Sequence, residues 1–203
     1  MKTLLLIDIQ NDFLEGGALA VPDGNAIIPI VNRLSPIFGL VVATQDWHPG
    51  NHQSFASMHP GKNPFETIYL QGQPQTLWPN HCVQGSKGAE FSTVLNMNRT
   101  EAIFRKGTDA AIDSYSGFYD NEHRKSTGLA GYLREKSATE IYLAGLAGDY
   151  CVYFSAMDSL AEGFKTFVIE DATRPIDQNN YSILIKKFVT KGGQLVQSSV
   201  LLH

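Results

Sequence analysis

The chain has 203 residues, of which 43% are hydrophobic, enough to bury one core and too apolar for a disordered segment. Sixteen basic against twenty acidic residues leave a net charge of −4, which excludes a chain-wide basic footprint for nucleic acid or an anionic membrane. Two cysteines, Cys82 and Cys151, are too few for a disulfide scaffold and point to a reducing, cytoplasmic setting.

The first apolar run, Leu4 to Ile9, reads as a buried strand. Asp8 interrupts it before it reaches the roughly 7–15 apolar residues of a signal-peptide core. No later stretch approaches the ~18 apolar residues of a membrane span. Helical spacing follows over 25–38 (Ile27, Ile30, Val31, Leu34), broken by Pro36. Leu40 to Thr44 and Glu101 to Phe104 are the next strands. Ser126-Thr127 caps a helix through Glu135, and Ile141 to Ala144 is a fourth strand leading into a helix from about Asp149 to Glu162. Lys165 to Ile169 is a fifth strand. Asp177 caps a helix to Lys191, ended by Gly192 and Gly193, and Leu195-Val196 seeds a sixth strand. Strands alternating with helices predict an α/β fold: an open, mostly parallel six-stranded sheet with helices on both faces, in one domain over 1–203. The segment 46–98 breaks the pattern. It carries both tryptophans and four of the six histidines with little periodicity, and a long irregular insertion of this kind is usually functional.

Open α/β sheets bind ligands beyond the carboxyl ends of their strands. Those ends here offer Asp8, Asp46, Lys106 and, through Gly145-Leu146-Ala147-Gly148-Asp149-Tyr150, Cys151. A lone cysteine is more often a structural thiol. Cys151, however, falls at a predicted helix start, where free N–H groups favour a thiolate and can face an oxyanion. Asp8 alone reads equally as a cap or a base, and Lys106 alone as solvated surface. Together the three form a nucleophile, a base and a cation that organises them. Asp46, His48, His52 and His81 make a mixed N/O donor set that suits Zn²⁺, Fe²⁺ or Mn²⁺ without strongly separating them, zinc being the ion expected first; the bland alternative is a polar loop. Cys82 reads as a structural thiol, and His59 and His123 as solvated. Phe13, Trp78, Tyr115 and Phe118 lie between periodic segments, where they serve either local core or a slot for a planar ring. Phosphate-binding glycine motifs are missing.

Five blocks are then recognisable: Asp8-Ile9-Gln10-Asn11-Asp12-Phe13; Asp46-Trp47-His48-Pro49 through Phe55; Trp78-Pro79-Asn80-His81-Cys82; Lys106-Gly107-Thr108 with Asp113-Ser114-Tyr115-Ser116; and Gly145 through Val152. In this order they resemble the nicotinamidases, of the isochorismatase-like cysteine hydrolases. The resemblance implies hydrolysis of nicotinamide to nicotinate and ammonia through a cysteine thioester, in NAD salvage. It implies Asp8, Lys106 and Cys151 as the triad and Asp46, His48 and His81 as metal ligands, with His52 a fourth that some relatives use. It also implies a cis peptide at Leu146-Ala147, an oxyanion site at the Ala147 and Cys151 amides, and a ring pocket of Phe13, Trp78 and Tyr115. Gly148 departs from the pattern, since relatives often carry Thr or Ser there. The competing readings are another small-amide hydrolase of the superfamily, a metal-hydroxide hydrolase with an incidental Cys151, and a binding module without chemistry. Nicotinamide is the expected small-molecule partner, and homo-oligomers are compatible with the sequence.

Overall fold

In the computed structural model, which describes residues 1–202, the strands in chain order are β1 (Lys2–Ile7), β2 (Leu40–Asp46), β3 (Thr67–Leu70), β4 (Gln73–Thr76), β5 (Thr100–Lys106), β6 (Glu140–Leu146), β7 (Lys165–Arg174) and β8 (Gln194–Val196). The helices are α1 (Ile28–Leu34), α2 (Leu129–Glu135), α3 (Tyr153–Ala161), α4 (Gln178–Thr190) and α5 (Ser198–Leu201). Six strands form one sheet in the order β5-β2-β1-β6-β7-β8, and every neighbouring pair in it is parallel. The chain begins at the centre with β1, winds outward through β2 to β5, returns to β6 beside β1 and winds outward the other way. The winding reverses between β1 and β6, where the carboxyl ends of an open sheet leave a crevice.

Side chains alternate across the sheet. Leu4, Leu6, Val41 and Ala43 pack with α1 and α5 on one face. Leu5, Ile7, Val42 and Leu143 pack with α2, α3 and α4 on the other. Burial on both faces explains why β1 and β2 are near-continuous apolar runs rather than alternating ones.

Several boundaries differ from the sequence reading. Strand β1 stops at Ile7, not Ile9, because Asp8 takes a left-handed conformation (φ 48°) that turns the chain out of the sheet. The helix expected over 25–38 is regular only in α1, with 3₁₀ turns on either side of it and prolines at 29 and 36. Helix α2 starts at Leu129, whose N–H is accepted by Thr127 Oγ1 at 3.2 Å. Asp177 caps α4 by accepting from the Asn179 and Asn180 amides. The insertion holds an antiparallel hairpin, β3–β4, closed by Gln71-Gly72 with both residues at positive φ, the geometry of a tight two-residue turn. Among the described residues no helix is long and apolar enough to cross a membrane.

Candidate active site

Asp8 follows β1, Asp46 ends β2, Lys106 ends β5 and Cys151 follows β6, so four chain segments deliver one group each to the crevice. Lys106 is their meeting point. Its ammonium lies 2.9 Å from Asp8 Oδ2, 2.5 Å from Asp46 Oδ1, 2.9 Å from the Ser114 carbonyl and 3.4 Å from Cys151 Sγ. Four acceptors therefore surround three N–H bonds, and the side chain has no solvent exposure. Asp8 Oδ1 accepts from Thr44 Oγ1 at 2.6 Å, which fixes the carboxylate from its other side.

The electrostatics follow from burial. Desolvation pushes the Asp8 carboxyl above its usual range, and the Lys106 charge only partly offsets this. Burial likewise raises the Cys151 thiol, against the pull of Lys106. Burial disfavours the Lys106 ammonium, but Asp46 and Asp8 outweigh it and hold the lysine charged. Asp46 is held well below the ordinary carboxylate range, because the Lys106 charge and His48 overcome its own desolvation. A protonated thiol thus sits beside a carboxylate with raised basicity and a permanent cation.

On the far side of Asp46 stand the imidazoles. His48 Nδ1 donates to the Gly107 carbonyl at 2.9 Å and His81 Nδ1 to the Pro79 carbonyl at 2.8 Å. These bonds select the tautomer that leaves each Nε2 lone pair free. Both Nε2 atoms face Asp46 Oδ2, at 3.5 and 3.8 Å. One ligand atom from each of Asp46, His48 and His81 lies within 4.8 Å of the others, so the donor set fits a divalent cation. Burial and the neighbouring His48 lower the pKa of His81 and of His52 to about 4, whereas Asp46 overcomes burial and raises that of His48. His52 is grouped with His48 and Asp113 instead of with Asp46 and His81. Its Nδ1 meets Ser54 Oγ at 2.7 Å, while its buried Nε2 has no partner.

The frame around these groups is rigid. Gly107 has φ 62°, and a Cβ there would collide with the His48 ring, so the position needs glycine for both reasons. Gln10, fully buried, grips the Asp46 backbone at both ends: Nε2 donates to Asp46 O and the Asp46 N–H donates to Oε1, each at 2.8 Å. Asp12 Oδ2 accepts from the Cys82 amide at 2.7 Å and so anchors the residue after His81.

Cys151 lies in a π-helical turn, Gly148–Val152, that precedes α3; the Val152 amide reaches back to the Ala147 carbonyl at 3.1 Å. The expected helix start is therefore a widened turn, a feature common at functional sites. The Leu146-Ala147 peptide is cis, in line with the resemblance. A Cβ at Gly148 would stand 3.0 Å from Thr173 Cγ2 and 3.1 Å from Tyr181 Cε2. Neighbouring side chains already fill the space a larger residue would use.

A pocket joins the two halves, reaching Cys151 and Ala147 on one side and Asp46 and His81 on the other. Phe13, Trp78 and Tyr115 line it as expected, and Tyr150, Asp113, Leu19 and Ile176 complete the wall. The sequence reading missed these last four, although Tyr150 stands next to the candidate nucleophile. Phe118 does not reach the pocket; it is fully buried in the core against α2 and α3. His59 is not simply solvated, since its Nε2 donates to the Gln53 carbonyl at 2.8 Å. His123 is exposed and pairs with Asp158 at 3.3 Å. Cys82 is a buried free thiol whose pKa burial raises.

The isochorismatase domain family model matches residues 2–199. The chain belongs to the isochorismatase family. It is 48% identical to the nicotinamidase of Acinetobacter baylyi, over 87% of this chain and 82% of that protein. It is 46% identical to the nicotinamidase of Escherichia coli, over 87% and 84% respectively. Among solved structures, the nicotinamidase/pyrazinamidase of Acinetobacter baumannii superposes with a TM-score of 0.96 at 47% identity, covering 98% of this chain and 97% of that one. The pyrazinamidase of Pyrococcus horikoshii, solved in complex with zinc, gives a TM-score of 0.80 at 35% identity over 97% and 98%.

Proposed function

We propose that this chain is an amidohydrolase that converts nicotinamide to nicotinate and ammonia through a thioester on Cys151, supplying nicotinate to NAD salvage. The observation that carries this reading is the single ammonium of Lys106, which touches the Cys151 sulfur on one side and Asp46, a member of the imidazole cluster, on the other. A thiol half and a metal-binding half thus line one pocket, with Cys151 and Ala147 on one side and Asp46 and His81 on the other. Identity of 46–48% to two nicotinamidases supports the substrate.

Asp46, His48 and His81 would hold the metal; His52, grouped with His48 and Asp113, is the candidate for a fourth position. Zinc is the ion we favour, given the zinc in the Pyrococcus relative; the mixed nitrogen and oxygen donors suit iron or manganese as well. When bound, the ion supplies a Lewis-acidic anchor for the ring nitrogen.

The chain's own residues carry the chemistry. Asp8 takes the Cys151 thiol proton while Lys106 compensates the negative charge, and the thiolate adds to the carboxamide carbon. The Ala147 and Cys151 amides receive the oxyanion, where one such donor is typically worth ~3 kcal/mol. Protonated Asp8 passes its proton to the leaving nitrogen, releasing ammonia as the C–N bond breaks. A water gives a proton to Asp8 and its hydroxyl to the acyl carbon; the C–S bond breaks, the Cys151 sulfur recovers the proton from Asp8, and nicotinic acid leaves and ionises to nicotinate in solvent. Phe13, Trp78 and Tyr115 bound the ring. The two free thiols suit a reducing cytoplasm.

The test is ammonia release from nicotinamide by the purified protein, with bound metal identified by elemental analysis. Stoichiometric nicotinate and ammonia, with about one zinc per chain, is the expected result. No ammonia from metal-saturated protein would refute the substrate.

A further inference from the structure

Along the two strands of the β3–β4 hairpin, Gln75 is the one buried residue. Its side chain leaves the hairpin and enters the wall of the active-site pocket. Gln75 Nε2 donates to Asp113 Oδ2 at 2.9 Å and to the Tyr115 hydroxyl at 3.2 Å, and also lies 2.7 Å from the Thr76 carbonyl. The same hydroxyl accepts from the Trp78 indole N–H at 3.3 Å. Tyr150 packs edge-on against both rings, 4.8 Å from Trp78 and 5.3 Å from Tyr115.

Three of these partners, Asp113, Tyr115 and Trp78, line the pocket, while Gln75 does not. Two amide hydrogens serve three acceptors, so the amide is pinned and its partners are pinned by it. Asp113 has one other close donor, the Ser114 amide at 2.8 Å. Without Gln75 a buried carboxylate keeps only that bond, and the Tyr115 hydroxyl keeps only the indole. Groups left short of partners in a dry wall reorganise or draw in water.

We infer that Gln75 is a positioning residue that sets the width of the ring slot, and thereby restricts the enzyme to pyridine carboxamides without bulky ring substituents. The inference rests on the proposed nicotinamidase reading. Gln75 has no hydrogen bond to Cys151, Asp46, His48 or His81, so its effect falls on substrate fit and not on the bond-making step. A slot held at one width discriminates by shape, and a single added methyl group in such a pocket is worth roughly 10- to 200-fold in kcat/KM.

The experiment compares the wild-type protein with Gln75→Leu, which removes both donors on an apolar side chain one bond shorter, and Gln75→Glu, which sets a second carboxylate against Asp113. Each protein, loaded with zinc, is assayed on nicotinamide and on ring-methylated nicotinamides, and its nicotinate affinity is read from tryptophan fluorescence. For Gln75→Leu we expect KM for nicotinamide to rise about 10-fold with kcat within about 3-fold, the signature of lost uniform binding. Nicotinate affinity should fall in parallel. Relative to nicotinamide, at least one methylated substrate should gain about 5-fold or more in kcat/KM. Gln75→Glu should raise KM further. A fall in kcat at unchanged KM, or unchanged selectivity with only a lower melting temperature, overturns the inference. If Gln75→Leu does not fold, Gln75→Glu decides by the same criteria. If the wild type releases no ammonia from nicotinamide, the activity reading fails, and the nicotinate affinities alone then decide whether Gln75 shapes the slot.

Discussion

Lys106 holds its ammonium nitrogen 3.4 Å from the sulfur of Cys151 with no solvent between them. The same cation pairs with both Asp8 and Asp46, so its removal would leave two buried carboxylates without their shared counter-charge. Breaking a buried ion pair from one side costs about 3–5 kcal/mol. Lys106→Met should therefore lower stability by a comparable amount in denaturant melts, and should cut ammonia release by at least ~100-fold in the protein that remains folded. A fully active, fully stable Lys106→Met protein would remove the lysine from the account.

The pH profile follows from Asp8. Burial lifts its carboxyl above the ordinary value of 3.8, and the proposed base works only when ionised. Activity should therefore be lost as pH falls through that raised pKa, and recovered as pH rises through it. In metal-saturated protein, kcat/KM should show an acid limb clearly above the usual carboxylate range of about 4. A profile flat down to pH ~4 would exclude Asp8 as that base.

Gly107 links the lysine strand to the imidazoles, because its carbonyl accepts from His48 while its missing side chain leaves room for the ring. Gly107→Ala would force His48 away and strain a left-handed backbone at once. Disturbing a partner that orients a metal ligand typically costs 10- to 100-fold in affinity. Zinc affinity measured by chelator competition should weaken by about that factor, with Cys151 still open to alkylation. Unchanged zinc affinity would mean that His48 does not hold the ion.

Much of the site was legible because charged residues interrupt apolar runs. Asp8, Asp46 and Lys106 stand out at strand ends, and the glycines at 145 and 148 mark the turn before Cys151. The sheet was legible for the same reason: strands buried on both faces are continuous in hydrophobicity. The supporting residues were not. Gln10, Asp113 and Gln75 act through contacts that span 36 to 40 positions, and no local periodicity encodes such a contact. The hairpin stayed hidden because Gln71-Gly72 is a weaker turn signal than Asn-Gly or Asp-Gly. Phe118 looked like Tyr115 in sequence, yet one belongs to the core and the other to the pocket. Burial of an aromatic in an irregular segment is decided by tertiary approach alone.

The most direct test of the central claim is Cys151→Ala, assayed for ammonia release from nicotinamide alongside nicotinate binding. Turnover should disappear while nicotinate still binds, because the sulfur forms the bond and the pocket walls hold the ring. Turnover retained at a substantial fraction of wild type would contradict covalent catalysis and move the chemistry to the other half of the site.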